Sequence, residues 1–267
     1  MVRIAVCQME ILPNDANANF EKIIEFTNKA KQKNADIIVF PEKCDGIINE
    51  SIYKESVNDF ISKFRNLCSE YKIHGVLGSL LVKKNNQYFN RTHFVNDMGQ
   101  IIGKYDKQKI IPDVETDYTT PGEENVIVNT KFGKIGLAIC LDITNPEIFT
   151  QYKKMGADIV ICPMMWELNV SWDAKLKDQG IDLLSAAYGV VRKISEARAI
   201  ENHLFIVICN AAGKFLHKDF WFTLYGHSSV CEPMYGCMTS LDHDRESMLI
   251  ADIDKNKIKI AHNYFSL

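Results

Sequence analysis

Two short segments, Ala35-Asp-Ile-Ile-Val-Phe-Pro41 and Ala157-Asp-Ile-Val-Ile-Cys-Pro163, restrict this chain more than anything else in it. Both open on Ala-Asp, run on through strand-forming apolar residues and stop at proline. A run without polar alternation suits a strand covered on both faces. Their surroundings match as well. A strand (residues 3–8, and 135–140) and an amphipathic helix (16–33, and 146–155 with Pro146 in its first turn) precede each copy. The first helix carries Ala16, Phe20, Ile23, Ile24, Thr27 and Ala30 at helical spacing. A second helix (51–71, and 183–202), a third strand (73–82, and 204–209) and a hairpin (88–95 with 101–105, and 228–231 with 236–241) follow each copy. Each half therefore reads as β-α-β-α-β, a mixed sheet with helices on one face. The two bare faces are satisfied by packing on each other, which predicts an α/β chain folded as a four-layer α-β-β-α sandwich with pseudo-symmetric halves. No linker or low-complexity segment divides it, so residues 1–267 read as a single domain.

Composition removes several classes of function. A net charge of −3 with both signs interspersed offers no basis for binding nucleic acid or an anionic membrane. No apolar stretch reaches the roughly 18 residues of a membrane helix, and Met1-Val-Arg-Ile enters a strand without a signal-peptide pattern. The eight cysteines and seven histidines lack the short paired spacings of a disulfide framework or a metal site. The expectation is a cytoplasmic protein with reduced thiols and neither metal nor organic cofactor.

Chemistry is sought where buried strands end, since ligands of open α/β sheets bind beyond those ends. Strand 135–140 ends on Cys140, followed by Leu-Asp-Ile-Thr-Asn-Pro. A free cysteine there is a small core hydrophobe or, beside an activating group, a nucleophile. Glu42 follows the first copy of the repeat and is either a cap or a site group. If the halves are related, Glu42 and Cys140 leave equivalent edges of facing sheets and meet. Burial would then raise the carboxyl toward neutrality, as suits a general base. Between the halves stand Lys104, Lys107 and Lys109, which are a solvated edge unless one reaches the crevice to stabilise an oxyanion with the backbone N–H of Leu141.

Phe40-Pro-Glu42, Tyr105-Asp-Lys107 and Ile139-Cys-Leu-Asp142 with Pro146-Glu147 resemble the three signature motifs of the nitrilase superfamily, the carbon–nitrogen hydrolases. The likeness extends over roughly residues 3–260, through Ala5-Val-Cys-Gln8, the lysine segment ending in Glu115, Trp166, the segment Ala197-Arg-Ala-Ile-Glu-Asn202, and Gly226-His-Ser228. The resemblance implies Cys140 as nucleophile, Glu42 as general base, Lys107 as stabiliser of the tetrahedral intermediate and Glu115 as a supporting carboxylate. That last segment reads Pro112-Asp-Val-Glu115 where the family has Pro-Phe-Gly-Glu. Trp166 and Trp172 are expected at the rim of the crevice or at an interface.

Many amidases of the family carry an arginine four residues after the cysteine; this chain has Thr144. With Trp166 and Thr144 as substrate-binding candidates, the resemblance implies a neutral or polar small amide, hydrolysed through a thioester to ammonia and a carboxylic acid. A nitrile or an N-carbamoyl compound cleaved by the same site, and a non-catalytic partner-binding protein, are the alternatives. A papain-like Cys–His pair has no local support. Association as a homodimer or larger homo-oligomer is also implied, with Tyr264-Phe265 at the contact.

Overall fold

The computed structural model describes residues 1–47, 57–112, 115, 118–169, 176–217 and 220–265. The first half runs β1 (Val2–Gln8), α1 (Ala16–Gln32), β2 (Ile37–Val39), α2 (Val57–Tyr71), β3 (His74–Val76), β4 (Leu80–Lys84), β5 (Gln87–Val95) and β6 (Ile101–Asp106). The second half begins with β7 (Ile127–Thr130), β8 (Gly133–Leu137), α3 (Pro146–Lys154), β9 (Ile159–Met164) and β10 (Glu167–Asn169). After the long helix Leu183–Asn202 come β11 (Phe205–Asn210), β12 (Ala212–His217), β13 (Phe220–Tyr225), β14 (Ser229–Glu232), β15 (Gly236–Ser240) and β16 (Ser247–Ile253), then the helix Asn256–Phe265. Asp15 starts α1 by accepting from the N–H of Ala18, and Asn145 starts α3 with Pro146 just inside it.

The sheet orders are β16-β1-β2-β3-β5-β4, with β6 also on β5, and β15-β14-β11-β9-β8-β7. Three central strands are parallel in each (β1-β2-β3 and β8-β9-β11), with antiparallel neighbours on both sides. The pseudo-symmetry thus extends to topology: β1, β2 and β3 answer to β8, β9 and β11. In β1, Val2, Ile4 and Val6 enter the core shared with the second sheet, whereas Ala5 and Cys7 pack beneath α1 and α2 with Ile23, Phe26, Phe60 and Phe64. Both faces are covered, which is why the strand shows no polar alternation. This is the expected α-β-β-α sandwich. No helix among the described residues is long and apolar enough to cross a membrane.

Three local expectations need correction. The strand expected over 73–82 is two strands, β3 and β4, separated at Leu77-Gly78-Ser79. Gly78 has φ +34°, and a Cβ there would lie 1.8 Å from the carbonyl oxygen of Pro41. The glycine lets that backbone press against the end of β2. We therefore expect Gly78→Ala to destabilise the protein by about 3 kcal/mol in urea unfolding, with a loss of activity beyond the fraction unfolded because Glu42 is the next residue. Second, the segment between Asn210 and His227, to which the sequence assigned nothing, forms β12 and β13 and a small sheet β10-β13-β12. Third, the strand before Cys140 stops at Leu137. Residues 51–56 of the expected second helix, and Trp172, lie outside the described residues.

Candidate active site

The two copies of the repeated segment meet end to end. The N–H of Glu42 donates to the carbonyl of Met164 (3.3 Å), and the N–H of Met165 donates to Glu42 Oε2 (3.0 Å). The carboxylate that ends one sheet's strand is thus held by the strand end of the other. Its Oε1 accepts from Asn90 Nδ2 at 2.6 Å and from Lys107 Nζ at 3.1 Å. Lys107 follows β6, and only 1% of its side chain is exposed. Its ammonium also meets Glu115 Oε2 at 2.8 Å, and that same oxygen accepts from the N–H of Ile111. One buried cation therefore lies between two buried carboxylates, with Asn90 donating to both of them.

Cys140 reaches this group from a turn rather than from the last position of a strand. After β8 the N–H of Ala138 still bonds to Ile161, then Cys140 adopts φ +48° and opens the 3-10 turn Cys140–Thr144. The left-handed conformation is costly for a residue with a Cβ, so the surroundings must enforce it. Asp142 does much of this. Its Oδ2 accepts from the N–H of Ile139 (2.9 Å) and from Tyr105 Oη (2.7 Å). Its Oδ1 accepts from the N–H groups of Lys109 (2.7 Å) and Gln108 (3.2 Å). The cysteine turn and the segment carrying Lys107 are thereby tied to one side chain. Arg198, paired with Glu201 at 2.8 Å, also donates to Ile143 O.

Cys140 and Glu42 are near enough for each to shift the other's proton affinity. Burial, then the negative charge of Glu42, push the thiol well above its ordinary value, against the opposing pull of Lys107. For Glu42 burial is the largest influence and pushes up, but Lys107, Lys43, Cys140 and Asn90 together outweigh it and hold the carboxyl below its ordinary value. The expectation that burial raises this group toward neutrality is therefore wrong in direction. Burial alone would lower Lys107, but Glu42, Cys140 and Glu115 raise it well above the usual ammonium range. At neutral pH the cluster holds a carboxylate, an ammonium and a neutral thiol. Glu42 is thus ionised, the state in which a carboxylate can accept a proton.

Of the residues singled out from sequence, Glu42, Lys107, Glu115 and Cys140 converge, and Leu141 follows the cysteine in its turn. Trp166 is half-buried beside Met165, its N–H held by Asn210 Oδ1 at 2.9 Å. Thr144 closes the cysteine turn: its hydroxyl donates to Leu141 O (2.8 Å) and accepts from Lys109 Nζ (2.8 Å). Three residues in or around the cluster were missed: Asn90, Lys43 and Asp142 in its clamping role. Lys43 Nζ stands 3.9 Å from Glu115 Oε1 and 3.5 Å from Tyr118 Oη. The one available signal for Lys43 was adjacency to Glu42, and its neighbour in the strand direction would ordinarily point away.

The family model for carbon–nitrogen hydrolases matches residues 3–262. A curated relative from Staphylococcus aureus, named hydrolase in agr operon, is 26% identical, with 97% of this chain and 93% of that protein covered. The 2-oxoglutaramate amidase of Bacillus subtilis is also 26% identical, covering 94% of this chain and 90% of the relative. A carbon–nitrogen hydrolase from Helicobacter pylori has a similar solved structure, with a TM-score of 0.86 at 22% identity, covering 99% and 93% of the two chains.

Proposed function

The chain belongs to the carbon–nitrogen hydrolase family, and we propose that it is an amidase that hydrolyses a small linear amide at Cys140 to ammonia and a carboxylic acid. The observation that carries this reading is the buried Glu42–Lys107–Glu115 cluster within the electrostatic reach of the buried Cys140. In the proposed cycle Glu42 takes the thiol proton as sulfur bonds to the amide carbon, and the carbonyl π electrons move onto oxygen. The Lys107 ammonium and the N–H of Leu141 stabilise that oxyanion. As it collapses, the C–N bond breaks and Glu42 passes its proton to the departing nitrogen, leaving a thioester. Glu42 then deprotonates water, which adds to the thioester, and the proton returns to sulfur as the acid leaves. Glu115 keeps Lys107 charged and aimed.

An ammonia-release screen over amides, nitriles and N-carbamoyl compounds, with Cys140→Ala as blank, tests the proposal. Ammonia from amides at a rate at least about a thousandfold above the blank is expected. Product from nitriles alone would replace amidase by nitrilase. Cys140 reacting with 2-chloroacetamide no faster than the other seven cysteines would favour a non-catalytic scaffold.

A further inference from the structure

Glu167 opens β10, two residues beyond Met165, whose N–H holds Glu42. It is half-buried, and its carboxyl makes no hydrogen bond or ion pair among the described residues. Yet it lies within the field of four charged groups of the candidate site, Lys43, Glu42, Glu115 and Lys107. Glu42 and Glu115 share Lys107, and Glu115 also faces Lys43. Among the described residues, two carboxylates are thus balanced by two ammonium groups. A third carboxyl beside them is surplus, and a partly desolvated carboxylate without a partner is unfavourable until a cation or donor meets it.

We propose that Glu167 is the specificity-determining residue of this site, and that it selects amides whose acyl portion carries a second, cationic amino group. The inference rests on the amidase reading above and adds the substrate class. An ammonium brought to Glu167 completes the charge balance of the cluster. A substrate carboxylate there would add a further negative group beside the three carboxyls of the described residues, Glu42, Glu115 and Glu167. Burial, opposed by Lys43, pushes Glu167 up to about 7, with Glu42 and Glu115 raising it further and Lys107 lowering it. Selection for the cation is accordingly stronger at pH 8 than at pH 6, as the carboxyl ionises.

The test is protection of Cys140 from alkylation by 2-chloroacetamide, read by mass spectrometry, with 4-aminobutanamide, its neutral isostere pentanamide, and the anionic succinamate as protectants. In the wild-type protein 4-aminobutanamide is expected to protect at a concentration about tenfold lower than pentanamide, roughly 1.4 kcal/mol. In Glu167→Gln that ratio falls to about one, with pentanamide unchanged. Equal protection by the cationic and neutral amides, a preference for succinamate, or no protection by any of them overturns the proposal, and so does a ratio that survives in Glu167→Gln. The wild-type ratio decides even where the variant fails to fold. Protection needs no turnover, so the amidase reading fails separately, when no amide releases ammonia.

Discussion

Lys107→Met is expected to slow amide hydrolysis by at least about a thousandfold and to destabilise the fold by about 3–5 kcal/mol. Methionine fills the volume but leaves Glu42 and Glu115 buried, 3% and 2% exposed, with no cation between them. Two carboxylates cannot both stay ionised at such range in a dry site, so one would take up a proton. If Glu42 is the one, the proposed base is lost together with the proposed partner of the oxyanion. Lys107→Met combined with Glu115→Gln separates the two effects. Removing the second carboxylate should restore much of the stability in urea unfolding while leaving the rate as low as before. A single variant that keeps its rate within tenfold would remove Lys107 from the chemistry.

Asp142→Asn comes next in expected effect: about a hundredfold in rate and about 2–4 kcal/mol in stability. Asp142 is fully buried, and all four of its partners, Tyr105 Oη and the N–H groups of Gln108, Lys109 and Ile139, donate to it. Burial pushes its carboxyl up to about 6, against the pull of those N–H groups and the tyrosine, so at neutral pH it is an acceptor only. An amide turns one end into a donor that faces donors. The turn carrying Cys140 then loses the restraint on its left-handed backbone, and the lysine segment loses its anchor. Labelling of Cys140 by 2-chloroacetamide should slow in parallel with hydrolysis. Unchanged labelling and rate would show that the turn holds its shape without Asp142.

The layers of this molecule could be read from the chain because they depend on local composition. The duplicated Ala-Asp run announces a strand covered on both faces wherever it occurs, and the α1 and α2 stripes show which side of each helix is inward. The duplication suggested that Glu42 and Cys140 would meet, but their strands are not equivalents: β2 answers to β9, whereas Cys140 follows β8. What stayed hidden depends on contacts that no periodicity records. Asn90 lies within a strand whose alternation gives no reason to expect an amide between two acids. Asp142 looked like part of a motif, yet its role comes from Tyr105 and Lys109 on another segment. The direction of the Glu42 shift was missed for the same reason: burial is legible in an apolar strand, whereas the number of cations that will surround its end is not. Nor does the sequence identify Pro41 as the neighbour against which Gly78 presses.

The pairing of β1 with β16, seven residues in register from Val2 with Ile253 to Gln8 with Ser247, joins two strands that all the other strands of this fold separate in sequence. A ribosome-bound chain therefore exposes the unpaired margin of β1 until β16 has emerged, a template for sticking to other nascent chains that must be shielded in the meantime. Interrupted translation should yield clumped debris rather than a shorter working enzyme.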